Sequence, residues 1–101
     1  MITQIVKRDG RVVPFNIEKI ANAIFKAAQS IGGHNYDESM KLAIKACEYI
    51  ENKYNGKVPT VEQIQDAVEK MLIDDGHAQT AKAYILYRYE RTRSREMKTN
   101  L

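Results

Sequence analysis

The hydrophobic period of the chain changes once, close to residue 16. Before that point the apolar residues fall into two short runs, Ile2, Ile5 and Val6, then Val12, Val13 and Phe15, with Asp9-Gly10 between them. An Asp-Gly pair flanked by apolar runs predicts a β-hairpin over about residues 2–15, closed by a two-residue type I′ turn. Pro14 has no N–H for a ladder and so ends the second strand or keeps it at an edge. From Asn16 onward the spacing is helical. Asn16 is an N-cap for a helix over about 17–31, with Ile17, Ile20, Ala21, Ile24, Ala28 and Ile31 as its apolar face and Gly32-Gly33 as its stop. A second helix, about 37–54, carries Met40, Ala43, Ile44, Cys47 and Ile50, and ends at Asn55-Gly56. Thr60 and Gln63 have capping-box spacing at the head of a third, about 60–75, whose stripe is Val61, Ile64, Val68, Met71 and Leu72. A fourth, about 78–97, carries Ala81, Ala83, Tyr84, Ile85 and Leu86 beyond Gly76. The expected fold is mainly α, a four-helix bundle capped by an N-terminal β-hairpin, with short loops that favour antiparallel neighbours.

Composition narrows the function. The 101 residues suit one domain, and 44% hydrophobic with 29% charged is ordinary for a globular chain. No apolar run approaches the roughly 20 residues of a membrane span, and residues 1–7 hold no secretory core. The lone Cys47 excludes an internal disulfide and a multi-cysteine zinc site, and fits a reducing cytoplasm. It falls on an apolar helix face, as packing cysteines do. His34 and His77 stand at predicted loops without a spaced carboxylate or cysteine, which suits surface residues. These features favour a binding or regulatory module over an enzyme.

Charge gives the functional clues. Residues 1–87 contain eleven Lys/Arg and eleven Asp/Glu, so the net +3 comes from Arg88, Arg91, Arg93, Arg95 and Lys98 against Glu90 and Glu96. A basic helix end suits the macrodipole; it also suits a nucleic-acid-binding module built on the C-terminal helix. In the hairpin, a two-residue turn would set Arg8 opposite Arg11, a destabilising pair, with Lys7 alongside and only Asp9 as counter-charge. Either the side chains splay into water or an anion, such as a nucleoside triphosphate, neutralises them. Asn16 opens a helix whose free N–H groups favour phosphate, and Lys19 lies in that first turn, where the dipole disfavours a cation. Glu18 can balance Lys19 equally well. No G-x-x-x-x-G-K-[ST] run exists, so phosphate binding would rest on side chains. Tyr84 and Tyr87 suit either bundle packing or a purine face, and Arg88 and Arg91 follow on the same side of the helix.

Val6-Lys7-Arg8-Asp9-Gly10-Arg11, then Pro14-Phe15-Asn16-x-x-Lys19-Ile20, resembles the opening of an ATP-cone domain. The run from Thr60 to Glu69 and the segment Ala81-Lys82-Ala83-Tyr84-Ile85-Leu86-Tyr87-Arg88 resemble later parts of the same domain, in order. With its Ala-Tyr-Ile-x-Tyr-Arg segment and charged tail, the chain resembles the N-terminal cones of anaerobic ribonucleotide reductases. The resemblance implies an allosteric domain that binds ATP or dATP, with magnesium, between hairpin and helices and controls overall reductase activity. Its partners would be adenine nucleotides, the catalytic domain of a parent reductase and a second copy of the cone. It implies phosphate contacts from Lys7, Arg8 and Lys19, backbone contacts to adenine near Ile5 and Val6, and a nucleotide contact from Asn16. Thr60, Gln63, Gln65, Tyr87, Arg88 and Arg91 match further nucleotide-facing positions. Val13 stands where some relatives carry an acidic residue near the base. The same cone occurs in a repressor of reductase genes, behind a four-cysteine zinc ribbon that a single cysteine cannot build. The expectation is an excised regulatory domain or a cone encoded alone.

Overall fold

The computed structural model describes residues 1–99, and side chains as far as Ser94. Two antiparallel strands, β1 (Gln4–Val6) and β2 (Val12–Pro14), precede four helices: α1 (Ile17–Ser30), α2 (Tyr36–Tyr54), α3 (Val61–Asp74) and α4 (Ala78–Thr99). The mainly α architecture with its hairpin cap is the one expected. Each helix packs against two others, α1 on α2 and α4, α3 on α2 and α4. The bundle therefore closes on itself around Ala21, Ile24, Leu42, Ala43, Ala46, Ile50, Ile64, Val68, Leu72 and Tyr84. Ile2, Ile5 and Phe15 of the hairpin region rest on this core.

The hairpin turn differs from the expected one. Val6 pairs with Val12. Beyond that pair the Lys7 N–H donates to the Arg11 carbonyl (2.8 Å), and the Gly10 N–H donates to the Lys7 carbonyl (2.9 Å). The loop is thus Arg8-Asp9-Gly10, three residues long, with Gly10 at φ +88°, the geometry of a turn closed by a glycine bulge. Asp-Gly supports either loop; pairing the apolar residues Val6 and Val12 selects the longer one. Lys7, and not Arg8, then stands opposite Arg11. Arg11 is matched within the turn, its Nε 2.7 Å from Asp9 Oδ2. The backbone N–H of Arg11, and then its guanidinium, hold the Asp9 carboxyl below the ordinary carboxylate range. Arg8 is left free to leave the hairpin.

Helix boundaries follow capping chemistry. The Asn16 side chain accepts from the Glu18 N–H at 3.0 Å, and the Asn35 side chain accepts from the Glu38 N–H, so that α2 begins at Tyr36, one residue before the expected start. Thr60 and Gln63 form the reciprocal capping box, at 3.1 and 2.9 Å. That cap is also where the hairpin attaches: the Val6 N–H donates to the Pro59 carbonyl at 2.9 Å, and Val6 bridges Thr60 in a parallel sense.

Two faces are only partly those expected, with Ala43, Cys47 and Ile50 of α2 and Ala81 and Tyr84 of α4 buried as read from the sequence. On α2 the buried residues are Ser39, Leu42, Ala43, Ala46, Cys47 and Ile50, while Ile44 is 43% exposed. Small residues let neighbouring backbones approach, and the Ser39 hydroxyl is satisfied locally by the Asn35 carbonyl. On α4 Ala81 and Tyr84 face the core, whereas Ile85 and Leu86 face outward. Ile31, past the end of α1, is exposed as well. Cys47 is buried, and loss of hydration pushes its thiol up to about 11. His34 is exposed, as expected, and His77 lies 3.6 Å from Glu38.

Thr60→Ala removes the cap and loosens the hairpin's attachment together. A loss of about 1 kcal/mol is expected from the cap alone, with Thr60→Ser close to wild type, read by urea unfolding followed by circular dichroism.

Candidate functional site

Beneath the hairpin loop, between α1, α3 and α4, lies a cleft of about 390 Å³, within the roughly 300–1,000 Å³ range of small-molecule sites. Its apolar part is built by Ile5 from β1, Ile20 and Ala23 from α1, and Val61 and Ile64 from α3. Its polar part is cationic: Arg8 from the hairpin, Lys19 and Lys26 from α1, Arg88 and Arg91 from α4. Among the described residues, no carboxylate lines it. Five positive side chains beside an apolar patch suit an amphiphilic anion.

The helical repeat explains the convergence. Lys19, Asn22, Ala23 and Lys26 recur at i, i+3, i+4 and i+7, so α1 turns all four toward the cleft. Tyr84, Tyr87, Arg88, Arg91 and Thr92 do the same on α4. Tyr84 is almost wholly buried, and burial drives its phenol well above the ordinary range, so it stays neutral. The Arg91 guanidinium lies over the Tyr87 ring, 5.7 Å from its centroid, and donates to the Tyr87 hydroxyl at 2.9 Å.

The cations differ in how they are held. Arg8 lies 3.2 Å from Glu62 of α3 and donates to the Thr92 hydroxyl of α4 at 2.9 Å. Arg88 Nη1 donates to both Asp66 and Glu69, each at 2.8 Å. Burial opposes the charge on Arg88, but its hydrogen bonds to the Asp66 and Glu69 carboxylates outweigh it and raise its pKa. Lys19, Lys26 and Arg91 have no ion pair among the described residues. Gln65 adds an unmet acceptor: its Oε1 is buried without a hydrogen-bond partner, on a residue of the cleft wall. An unpaired buried acceptor costs about 1–3 kcal/mol.

Of the residues expected from the sequence, the cleft gathers Ile5, Arg8, Lys19, Gln65, Tyr87, Arg88 and Arg91. It does not gather Val6, Lys7, Asn16, Thr60 or Gln63. Val6 gives its N–H to Pro59, Asn16 caps α1, and the side chains of Thr60 and Gln63 are used in the capping box. Asn22, Lys26 and Thr92 were not anticipated, although Lys26 stands seven residues after Lys19 and is legible from that spacing. In the basic stretch, Arg88 and Arg91 turn into the cleft, Arg93 is exposed, and the side chains of Arg95 and Lys98 lie outside the described residues.

Fold and cleft together define a small helical module with a cationic site under a β-hairpin. The ATP cone domain family matches residues 3–93, and the chain belongs to that family. It is 44% identical over 103 residues to the vitamin B12-dependent ribonucleoside-diphosphate reductase of Thermoplasma acidophilum, a match covering 97% of this chain and 13% of that protein. It is 35% identical over 102 residues to the anaerobic ribonucleoside-triphosphate reductase of Salmonella typhimurium, covering all of this chain and 14% of the reductase. A third relative, the ribonucleoside-diphosphate reductase subunit alpha of Chlamydia pneumoniae, is 36% identical over 104 residues, covering 96% and 10%. The chain therefore spans a small fraction of the reductases it matches.

Arg88→Met leaves Glu69, only 23% exposed, facing Asp66 without a cation. A loss of about 1–3 kcal/mol is expected at neutral pH, and Arg88→Met combined with Glu69→Met should recover most of it in chemical denaturation.

Proposed function

We propose that this chain is a nucleotide-sensing regulatory domain that binds ATP or dATP and adjusts the overall activity of a ribonucleotide reductase. The observation that carries the proposal is the cleft wall: five cations, no carboxylate among the described residues, and an apolar patch beside them. The cations suit a polyphosphate. Ile5, Ile20, Ala23, Val61 and Ile64 suit a base, and the unmet Gln65 Oε1 suits an amine or hydroxyl of a nucleoside. Membership of the ATP-cone family supports the same reading, and the reductase relatives support a larger enzyme as the partner whose output is regulated.

The described residues include no cluster of three His, Cys, Asp or Glu able to hold a metal. A magnesium ion would accordingly be carried by the phosphates. No described helix is long and apolar enough to cross a membrane. We assign the chain no catalytic step, and the regulated chemistry to the rest of such a reductase. The residues of the cleft bind, neutralise and orient. Arg8 reaches from the hairpin to α3 and α4, so a ligand that engages Arg8 alters how the hairpin is tied to both helices. Such coupling is as large as the ligand's preference for one arrangement over the other. Self-association of cones is part of the proposal as a readout of that preference.

Thermal melting with ATP, dATP, GTP and a short DNA duplex tests the reading. An adenine nucleotide at about 100 times its Kd is expected to stabilise by roughly 2.7 kcal/mol, with DNA giving a weaker, steeply salt-dependent effect. No shift with millimolar ATP or dATP and magnesium overturns the proposal; a larger shift with DNA favours the nucleic-acid module.

Lys19→Ala and Lys26→Ala, which remove cations without ion pairs, should each weaken ATP binding by roughly tenfold or more in calorimetry while leaving the melting point of the free protein unchanged. Asn16→Ala should lower that melting point without a comparable loss of affinity.

A further inference from the structure

Glu62, Asp66 and Glu69 recur at i, i+4 and i+7 and share one side of α3. All three hold an arginine that lines the cleft: Glu62 the hairpin's Arg8 at 3.2 Å, Asp66 and Glu69 the same nitrogen of Arg88 at 2.8 Å each. We propose that this row of carboxylates competes with the ligand's phosphates for the cleft's arginines and thereby sets the affinity of the site. The proposal rests on the polyphosphate reading of the cleft and adds a means of regulating it.

Charge and geometry carry the argument. Among the described residues the five cations fall into two groups. Lys19, Lys26 and Arg91 have no carboxylate, while Arg8 and Arg88 share three. An incoming anion meets the first group unopposed. To gain Arg8 it must separate that side chain from Glu62, and a polyphosphate near Arg8 also meets the charge of Glu62 itself. Both effects weaken binding, and both vanish when Glu62 becomes neutral. The pair is accessible to exchange, since the side chains of Arg8 and Glu62 are 33% and 44% exposed. Arg88 is less so: its guanidinium serves two carboxylates, and Glu69 is 23% exposed. Arg8 is thus the mobile partner and Arg88 the fixed one. Exchange at Arg8 also breaks its bond to Thr92, whose hydroxyl donates in turn to the Arg88 carbonyl, so ligand binding is felt along α4.

The test is calorimetry with ATP and with inorganic tripolyphosphate on the whole chain, for wild type, Glu62→Gln, Arg8→Gln and the double variant, with Asp66→Asn as a second probe. Glu62→Gln is expected to tighten both ligands by roughly 1.5-fold to fivefold, the range of a partly exposed ion pair. In the Arg8→Gln background the gain should shrink markedly, because a carboxylate that acts by holding Arg8 has nothing left to hold. Asp66→Asn should give a smaller gain, Glu69 keeping Arg88 in place. Unchanged or weaker binding in Glu62→Gln overturns the proposal, as does an equal gain without Arg8. If wild type takes tripolyphosphate without preferring ATP, the nucleotide reading falls while the cycle still decides the competition; if it takes neither, both fall.

Discussion

Mutual repulsion among the cations of the cleft is the constraint that organises this molecule. Arg8, Lys19, Lys26, Arg88 and Arg91 arrive from three separate elements and line one cavity. The protein offsets part of this by placing Glu62, Asp66 and Glu69 behind Arg8 and Arg88. Among the described residues, the cations without an ion pair are Lys19 and Lys26 on α1 and Arg91 on α4, and they line the cavity. A bundle selected for stability alone would gain by spreading these charges, since small domains have few kcal/mol to spare. Concentrating them makes sense where an anion completes the arrangement.

The scaffold is arranged to keep those charges in place. The capping box at Thr60 fixes the start of α3, and the neighbouring Pro59 carbonyl receives the Val6 N–H, so the hairpin is anchored two residues from the point where Arg8 departs. The three-residue loop closes Arg11 onto Asp9 and turns Arg8 out toward α3 and α4. A two-residue loop would have set Arg8 against Arg11 across the ribbon. One bulge residue thus decides which arginine belongs to the turn and which to the site.

The fold was legible in the sequence because its signals are local. Asp-Gly, the caps at Asn16 and Thr60 and the glycines after α1 and α3 act within a few residues, and the helical stripe shows in any short window. Legibility failed where tertiary packing chooses between equal local options. Ile44, Ile85 and Leu86 look like core residues by hydrophobicity, but α2 is turned so that Ser39, Leu42 and Ala46 are buried beside the expected Ala43, Cys47 and Ile50, and α4 buries only Ala81 and Tyr84 of its expected stripe. The site was legible in part. Arg8, Lys19, Arg88 and Arg91 announce themselves by charge, whereas Thr60 and Gln63 attract attention as polar residues at a helix head and are spent on backbone caps. Motif resemblance marks positions; hydrogen bonds decide what each side chain does there.

The division of the cations into opposed and unopposed groups bears on why a regulatory domain should weaken its own site. A sensor responds only if its affinity lies near the concentration of what it senses, and five unopposed cations would hold a polyphosphate more tightly than cations shared with carboxylates. On the competition proposed above, carboxylates within reach of Arg8 and Arg88 would lower affinity without removing the contacts that confer it. Glu62 also gives Arg8 a definite place, held between Glu62 and Thr92 in place of a loose side chain in water. On the proposed reading, a ligand would exchange one ordered arrangement for another, and a two-state exchange of that kind is what a regulatory signal requires.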